Sequence, residues 1–155
     1  MKKIVFVLII VIFTISCEKE NRPIDTFEIE YSIESSWVGY KYSTVILSNG
    51  FLNVTEVHDL NSYNRENTFN IDINEIELIK ERFKPLTEVN LKPTYGFGAN
   101  KPTDLPVTKL LYKTNFNTDS TFIYHPEENE LPNALDLFLI TVRQIINEND
   151  TLQGQ

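Results

Sequence analysis

Apolar and polar residues alternate along several stretches of the chain, most regularly where Phe27, Ile29, Tyr31 and Ile33 interleave with Glu28, Glu30, Ser32 and Glu34. That is the period of a strand with one packed face and one wet, acidic face. Residues 40–48 and 51–58 flank Asn49-Gly50, the pair that best adopts the positive dihedrals of a two-residue hairpin turn. This register sets Leu47 against Leu52 and Val45 against Val54 as the inward face, with Tyr42, Thr44, Thr55 and Val57 on the other side. After a polar excursion over residues 59–67, Phe69 and Ile71 predict a short strand.

The spacing then becomes helical. Asp72 can accept the orphan amides of a first turn, Glu75 suits its positive end, and Ile76, Ile79 and Phe83 recur at helical intervals until Pro85 ends the pattern. Residues 107–114 and 120–125 predict a second hairpin around residues 115–119, with Leu110, Tyr112, Phe122 and Tyr124 as its alternating partners. A last helix follows Pro132, where Leu131, Leu135, Phe138, Leu139, Val142, Ile145 and Ile146 form a stripe that needs a sheet to cover. The order of elements predicts an α+β fold: an antiparallel β-sheet of two hairpins plus an N-terminal strand, with two helices packed on one face. It fits one domain over residues 26–148, followed by a disordered tail over residues 149–155.

The start of the chain obeys a different pattern. Lys2 and Lys3 precede an unbroken apolar run over residues 4–13, the layout of a secretory signal and too short for a finished helix across a ~30 Å hydrocarbon core. Thr14-Ile15-Ser16-Cys17 resembles the lipobox of bacterial lipoprotein precursors. The resemblance implies a signal peptide over residues 1–16, cleavage before Cys17, diacylation of its thiol with palmitate-class chains and acylation of the new amine. Several chains at about 0.8 kcal/mol per buried CH₂ give stable anchoring. Glu18 stands where enteric lipoproteins held at the inner membrane tend to carry Asp, so the resemblance favours the outer membrane. Glu18-Lys19-Glu20 leaves the periplasmic and surface faces both open. Residues 17–25 form a short tether, and Glu18 to Asp25 spans about 26 Å at most.

Charge and cysteine content narrow the chemistry. The chain has 14 basic and 22 acidic residues, and loss of residues 1–16 leaves a net charge of −10. An acidic module lacks the cations that replace counterions on nucleic acid, or that grip anionic lipid. Cys17 is the sole cysteine, which rules out an internal disulfide and a multi-thiolate zinc site.

Catalytic patterns are thin. His58 and His125 fall at the ends of predicted strands, and a general base or metal site there needs a further ligand such as Asp59, Glu127 or Glu128. No G-x-S-x-G pattern occurs, and the S-x-x-K spacing occurs only at Ser16-Cys17-Glu18-Lys19, across the expected cleavage site. Gly96-Phe97-Gly98 lacks the third glycine of a phosphate loop, and Glu28, Glu30 and Glu34 on an open strand do not encircle calcium. No catalytic, cofactor or metal residue is assigned, and the expectation is a non-enzyme without a cofactor. Two segments suit contact with a protein or glycan: residues 35–40, with Trp37 and Tyr40, and the long connection over residues 84–106, with Tyr95 and Phe97 near its tip. Trp37, Tyr40, Tyr95 and Phe97 are the candidate ligand contacts, provided the two loops converge.

Residues 27–147 are similar in element order to small bacterial inhibitor domains of the emfourin type, which act on thermolysin-like metalloproteases. That likeness implies a fold and transfers no site residue. The expected function is a membrane-anchored interaction module at the cell envelope, a protease inhibitor being one version. The alternatives are an assembly accessory of an envelope complex and a hydrolase using His58 or His125.

Overall fold

The computed structural model describes residues 23–35, 39–96, 105–124 and 130–151. Its N-terminal strand, Phe27–Ser35 (β1), becomes the middle of the sheet because both hairpins pair with it. One hairpin is Tyr40–Leu47 (β2) and Phe51–His58 (β3); the other is Val107–Thr114 (β6) and Thr118–Ile123 (β7). Tyr63–Asn70 (β4) closes one edge and the two-residue strand Thr94–Tyr95 (β5) the other, giving the order β4-β3-β2-β1-β6-β7-β5. Every pairing is antiparallel except β5 with β7.

The alternation in β1 sets the inner face. Ile29 lies between Ile46 and Tyr112, and Tyr31 between Thr44 and Leu110, all of them buried. Two helices cover this face. Ile73–Glu88 (α1) opens with a reciprocal cap in which the Asp72 carboxylate accepts from Asn74 N (2.7 Å) and Glu75 Oε2 accepts from Asp72 N (2.7 Å). Asn133–Thr151 (α2) starts from Pro132, whose carbonyl accepts from Leu135 and Asp136. Phe83 of α1 joins the layers, its ring centroid 4.8 Å from Phe138 of α2, 5.4 Å from Tyr112 and 5.5 Å from Phe27. The stripe Leu135, Phe138, Leu139, Val142, Ile145 and Ile146 is buried as its spacing requires. No helix among the described residues is long and apolar enough to cross a membrane.

Five expectations need correction. The first hairpin is shifted by one residue: Ile46 faces Leu52 and Thr44 faces Val54, so Val45 and Leu47 turn outward while Thr44 is buried. Gly50 N donates to Leu47 O at 3.0 Å and Gly50 has φ +91°, the left-handed last residue of a three-residue loop rather than half of a two-residue turn. β4 begins at Tyr63, because a 3₁₀ turn over Asp59–Asn61 absorbs only part of the polar excursion. Pro85 does not end α1. It removes one donor, but the final turn persists because Leu86 is fully buried, which offsets much of the ~3 kcal/mol an interior proline costs. In the second hairpin Leu110, Tyr112 and Tyr124 are buried, whereas Phe122 faces out and Thr121 and Ile123 take the inward positions. Finally, α2 carries Asn149 and Asp150 of the expected tail, because both are bonded to the body of the domain: Asn149 to Glu75 and Asp150 to Arg65.

Candidate functional site

The outer face of the sheet carries ion pairs, and apolar residues at one end. Glu30 meets Lys109 at 3.4 Å in the middle, and Glu34 meets Lys41 at 3.1 Å near the end of β1, the latter two side chains about half exposed. Exposed pairs of this kind contribute little to stability and leave the mid-face solvated. At the end where β1 finishes, cross-strand pairing aligns Val57 with Lys41, Lys41 with Glu34 and Glu34 with Val107. Thr94 lies beside Phe122. These side chains, with Leu105, line an open cleft of about 690 Å³.

Both loops singled out in the sequence reach this cleft through their described ends. Ser35, Gly39 and Tyr40 bound one; Thr94 and Leu105 bound the other. Gly39 is held in the left-handed region at φ +57°, and its carbonyl accepts from Asp59 N at 2.9 Å. Asp59 thereby lies against the loop end and adds a second carboxylate to the lining. The Lys41–Glu34 ion pair crosses the middle of the cleft, with Val57 to one side, Val107 and Phe122 to the other and the Asp59 carboxylate beside Gly39. No described lining residue is a histidine or a cysteine.

Of the four candidate contacts, Tyr40 borders the cleft, while its ring packs against His58 on the helix-covered side. Tyr95 does not: it is 2% exposed and belongs to the core, pairing with Ile123, while its hydroxyl accepts from Lys92 N at 3.1 Å. The aromatic ring that looked like a loop tip is the inward residue of β5, and it anchors the connection instead of presenting it. Trp37, Phe97, His125 and Cys17 lie outside the described residues. Val57, Val107 and Phe122 were not singled out as site residues. Their signal was present but scattered, since each is an apolar residue on the wet side of its own strand and only the strand order brings them together.

No family model matches the chain, and no curated protein does. The chemistry must therefore be read from the residues.

A second polar cluster lies on the helix-covered side, where β3 and β4 meet α2. His58 Nε2 is 3.3 Å from Glu56 Oε1, and its ring lies between those of Tyr40 (4.6 Å) and Tyr63 (5.7 Å). Glu56 is also held by Arg65, whose Nη2 is 3.1 Å from Oε2 and which forks onto Asp150 of α2. The hydrogen bonds it donates to the Asp150 carboxylate hold the Arg65 guanidinium above its ordinary range. Burial, then the Glu56 charge, pushes the Tyr40 phenol up. A histidine beside a carboxylate can accept a proton, but this carboxylate is committed to a guanidinium that ties a strand to a helix. Among the described residues no group of three His, Cys, Asp or Glu side chains is arranged to hold a metal ion.

Proposed function

We propose that this protein is a lipid-anchored envelope protein, held in the outer membrane through Cys17, that acts as a non-enzymatic binding module. Its ligand, a protein or glycan of the envelope, sits in the cleft between the two loops. Support for the anchor comes from the lysines, the apolar run and the lipobox-like Thr14-Ile15-Ser16-Cys17. The observation that carries the binding reading is that two loops far apart in sequence end at one cleft, where Val57, Val107 and Phe122 flank the Lys41–Glu34 pair. Apolar side chains set around a few polar groups fit the anatomy of recognition sites. The His58 cluster fits a structural role better, because Arg65 couples Glu56 to Asp150.

Site-specific photo-cross-linking in the native envelope tests the reading. A photoreactive group at Phe122 should give a discrete adduct with one envelope component, a group at Glu81 on the exposed side of α1 should give none, and Val57→Glu should abolish the first. His58→Ala should leave the adduct intact. Absence of any adduct from Phe122 in chain that carries acylated Cys17 would overturn the binding role. A change in the mass of Cys17 that is lost in Cys17→Ala checks the anchor separately.

A further inference from the structure

The domain is polarised along β1. Asn115 N donates to Thr26 O at 3.2 Å and Asn115 Nδ2 lies 3.5 Å from Pro23 O, so the chain leads back toward Cys17 from the end of the sheet that carries the two hairpin turns. Cys17 to Pro23 is six Cα steps, at most about 20 Å. The eight steps from Phe27 to Ser35 along β1, at about 3.3 Å each, carry the chain roughly 26 Å from that end to the cleft. If Cys17 is anchored in lipid, the tether holds the turn end within about 20 Å of the membrane.

That end exposes large apolar side chains. Phe116 in the β6–β7 turn is 50% exposed, Phe51 just after the β2–β3 turn 44%, and Ile73 at the start of α1 63%. Ile73 belongs to the same end because Ile71 N donates to Gly50 O at 2.9 Å. Its charges are mostly negative, with Asp25, Glu28, Asp72 and Asp119 against Lys113, which disfavours anionic headgroups. Apolar exposure alone does not choose an end, since Leu60 beside the cleft is 74% exposed; the tether does.

We infer that the turn end, through Phe116, Phe51 and Ile73, docks on a zwitterionic lipid surface, so that the cleft is presented away from the membrane. This rests on the lipid anchor proposed above. Aromatic side chains suit the headgroup boundary, and a tether this short keeps their effective concentration at the surface high.

Because acylation consumes the Cys17 thiol, a cysteine introduced by Asn117→Cys, next to Phe116, or by Asn61→Cys, next to Leu60, is the sole free thiol for an environment-sensitive fluorophore. The full lipidated chain is reconstituted into phosphatidylcholine vesicles with or without brominated acyl chains. The label at position 117 should lose emission in brominated vesicles, the label at 61 should not, and Phe116→Glu should abolish the loss at 117. Emission unchanged at both positions in protein that co-floats with the vesicles would overturn the docking. Quenching at position 61, alone or with 117, would overturn the orientation. Failure to co-float, with Cys17 unmodified by mass spectrometry, would instead remove the anchor and the inference with it.

Discussion

Arg65 of β4 grips Asp150 in the last turn of α2 with both arms of its guanidinium, Nη1 to Oδ1 at 3.0 Å and Nη2 to Oδ2 at 2.8 Å. The last turn of α2 has no basic residue of its own, so Asp150 opposes the negative end of the helix dipole and needs an external cation. Arg65 supplies it from 85 residues away and also neutralises Glu56.

Removing the guanidinium leaves two partly buried carboxylates facing each other. Arg65→Met should destabilise the domain by about 1–3 kcal/mol, below the cost of a fully buried pair because Arg65 keeps some solvent contact. Asp150→Asn in the same background should recover part of the loss. A double-mutant cycle by urea denaturation measures the coupling, and a coupling of zero would show that the fork contributes nothing.

Gly50 fixes the register of the first hairpin. Its φ of +91° is in the left-handed region, and an added Cβ would sit 3.4 Å from both Ile71 O and Ile76 Cδ1. Gly50→Ala should therefore cost about 1–2 kcal/mol, mainly from the backbone conformation. Thermal unfolding of the variant checks this; an unchanged melting temperature would mean that the turn can be closed another way.

The same turn shows where the sequence was legible and where it was not. The period of Phe27, Ile29 and Tyr31 and the stripe from Leu135 to Ile146 located the central strand and the covering helix, because burial on one face imposes its period on the residues. Asn49-Gly50 announced a hairpin but not its loop length: glycine with positive φ serves a two-residue turn and the end of a three-residue loop equally, and the two differ by one position of register. Tyr95 was misread for a related reason, since a two-residue strand is too short to show alternation. The cleft needed the strand order, which no local pattern of Val57, Val107 or Phe122 encodes. The fork from Arg65 to Asp150 likewise depends on a helix crossing an edge strand.

Alkaline pH should unfold the domain through two phenols. Burial pushes Tyr42 and Tyr112 up to about 12 from an ordinary value of 10.0. Below pH 10 both states keep these protons and the full contribution is present. Between pH 10 and 12 the unfolded chain releases protons that the folded chain holds, so stability falls, by at most about 1.4 kcal/mol per pH unit for each group. The double variant Tyr42→Phe, Tyr112→Phe should flatten that decline in denaturation curves recorded across the window. A slope identical to that of the parent would refute the assignment.

Gly39 joins the fold to the cleft. It sits at φ +57°, and a Cβ there would lie 2.8 Å from Asp59 Cβ and 3.1 Å from its Oδ2. The root of a side chain cannot swing aside as its tip can, and Asp59 is further pinned by its own N–H to Gly39 O. Gly39→Ala must therefore strain the backbone and separate the start of β2 from the turn after β3, at a combined cost of roughly 2–4 kcal/mol. The two causes can be told apart. Adding Asp59→Gly removes the colliding atoms but leaves alanine in the left-handed region, so the double variant should recover the steric part of the stability loss and retain the backbone part. Recovery of nothing would mean that the contact with Asp59 does not hold the loop end in place. In that case Tyr40, Val57 and the rim of the cleft would owe their positions to the sheet alone.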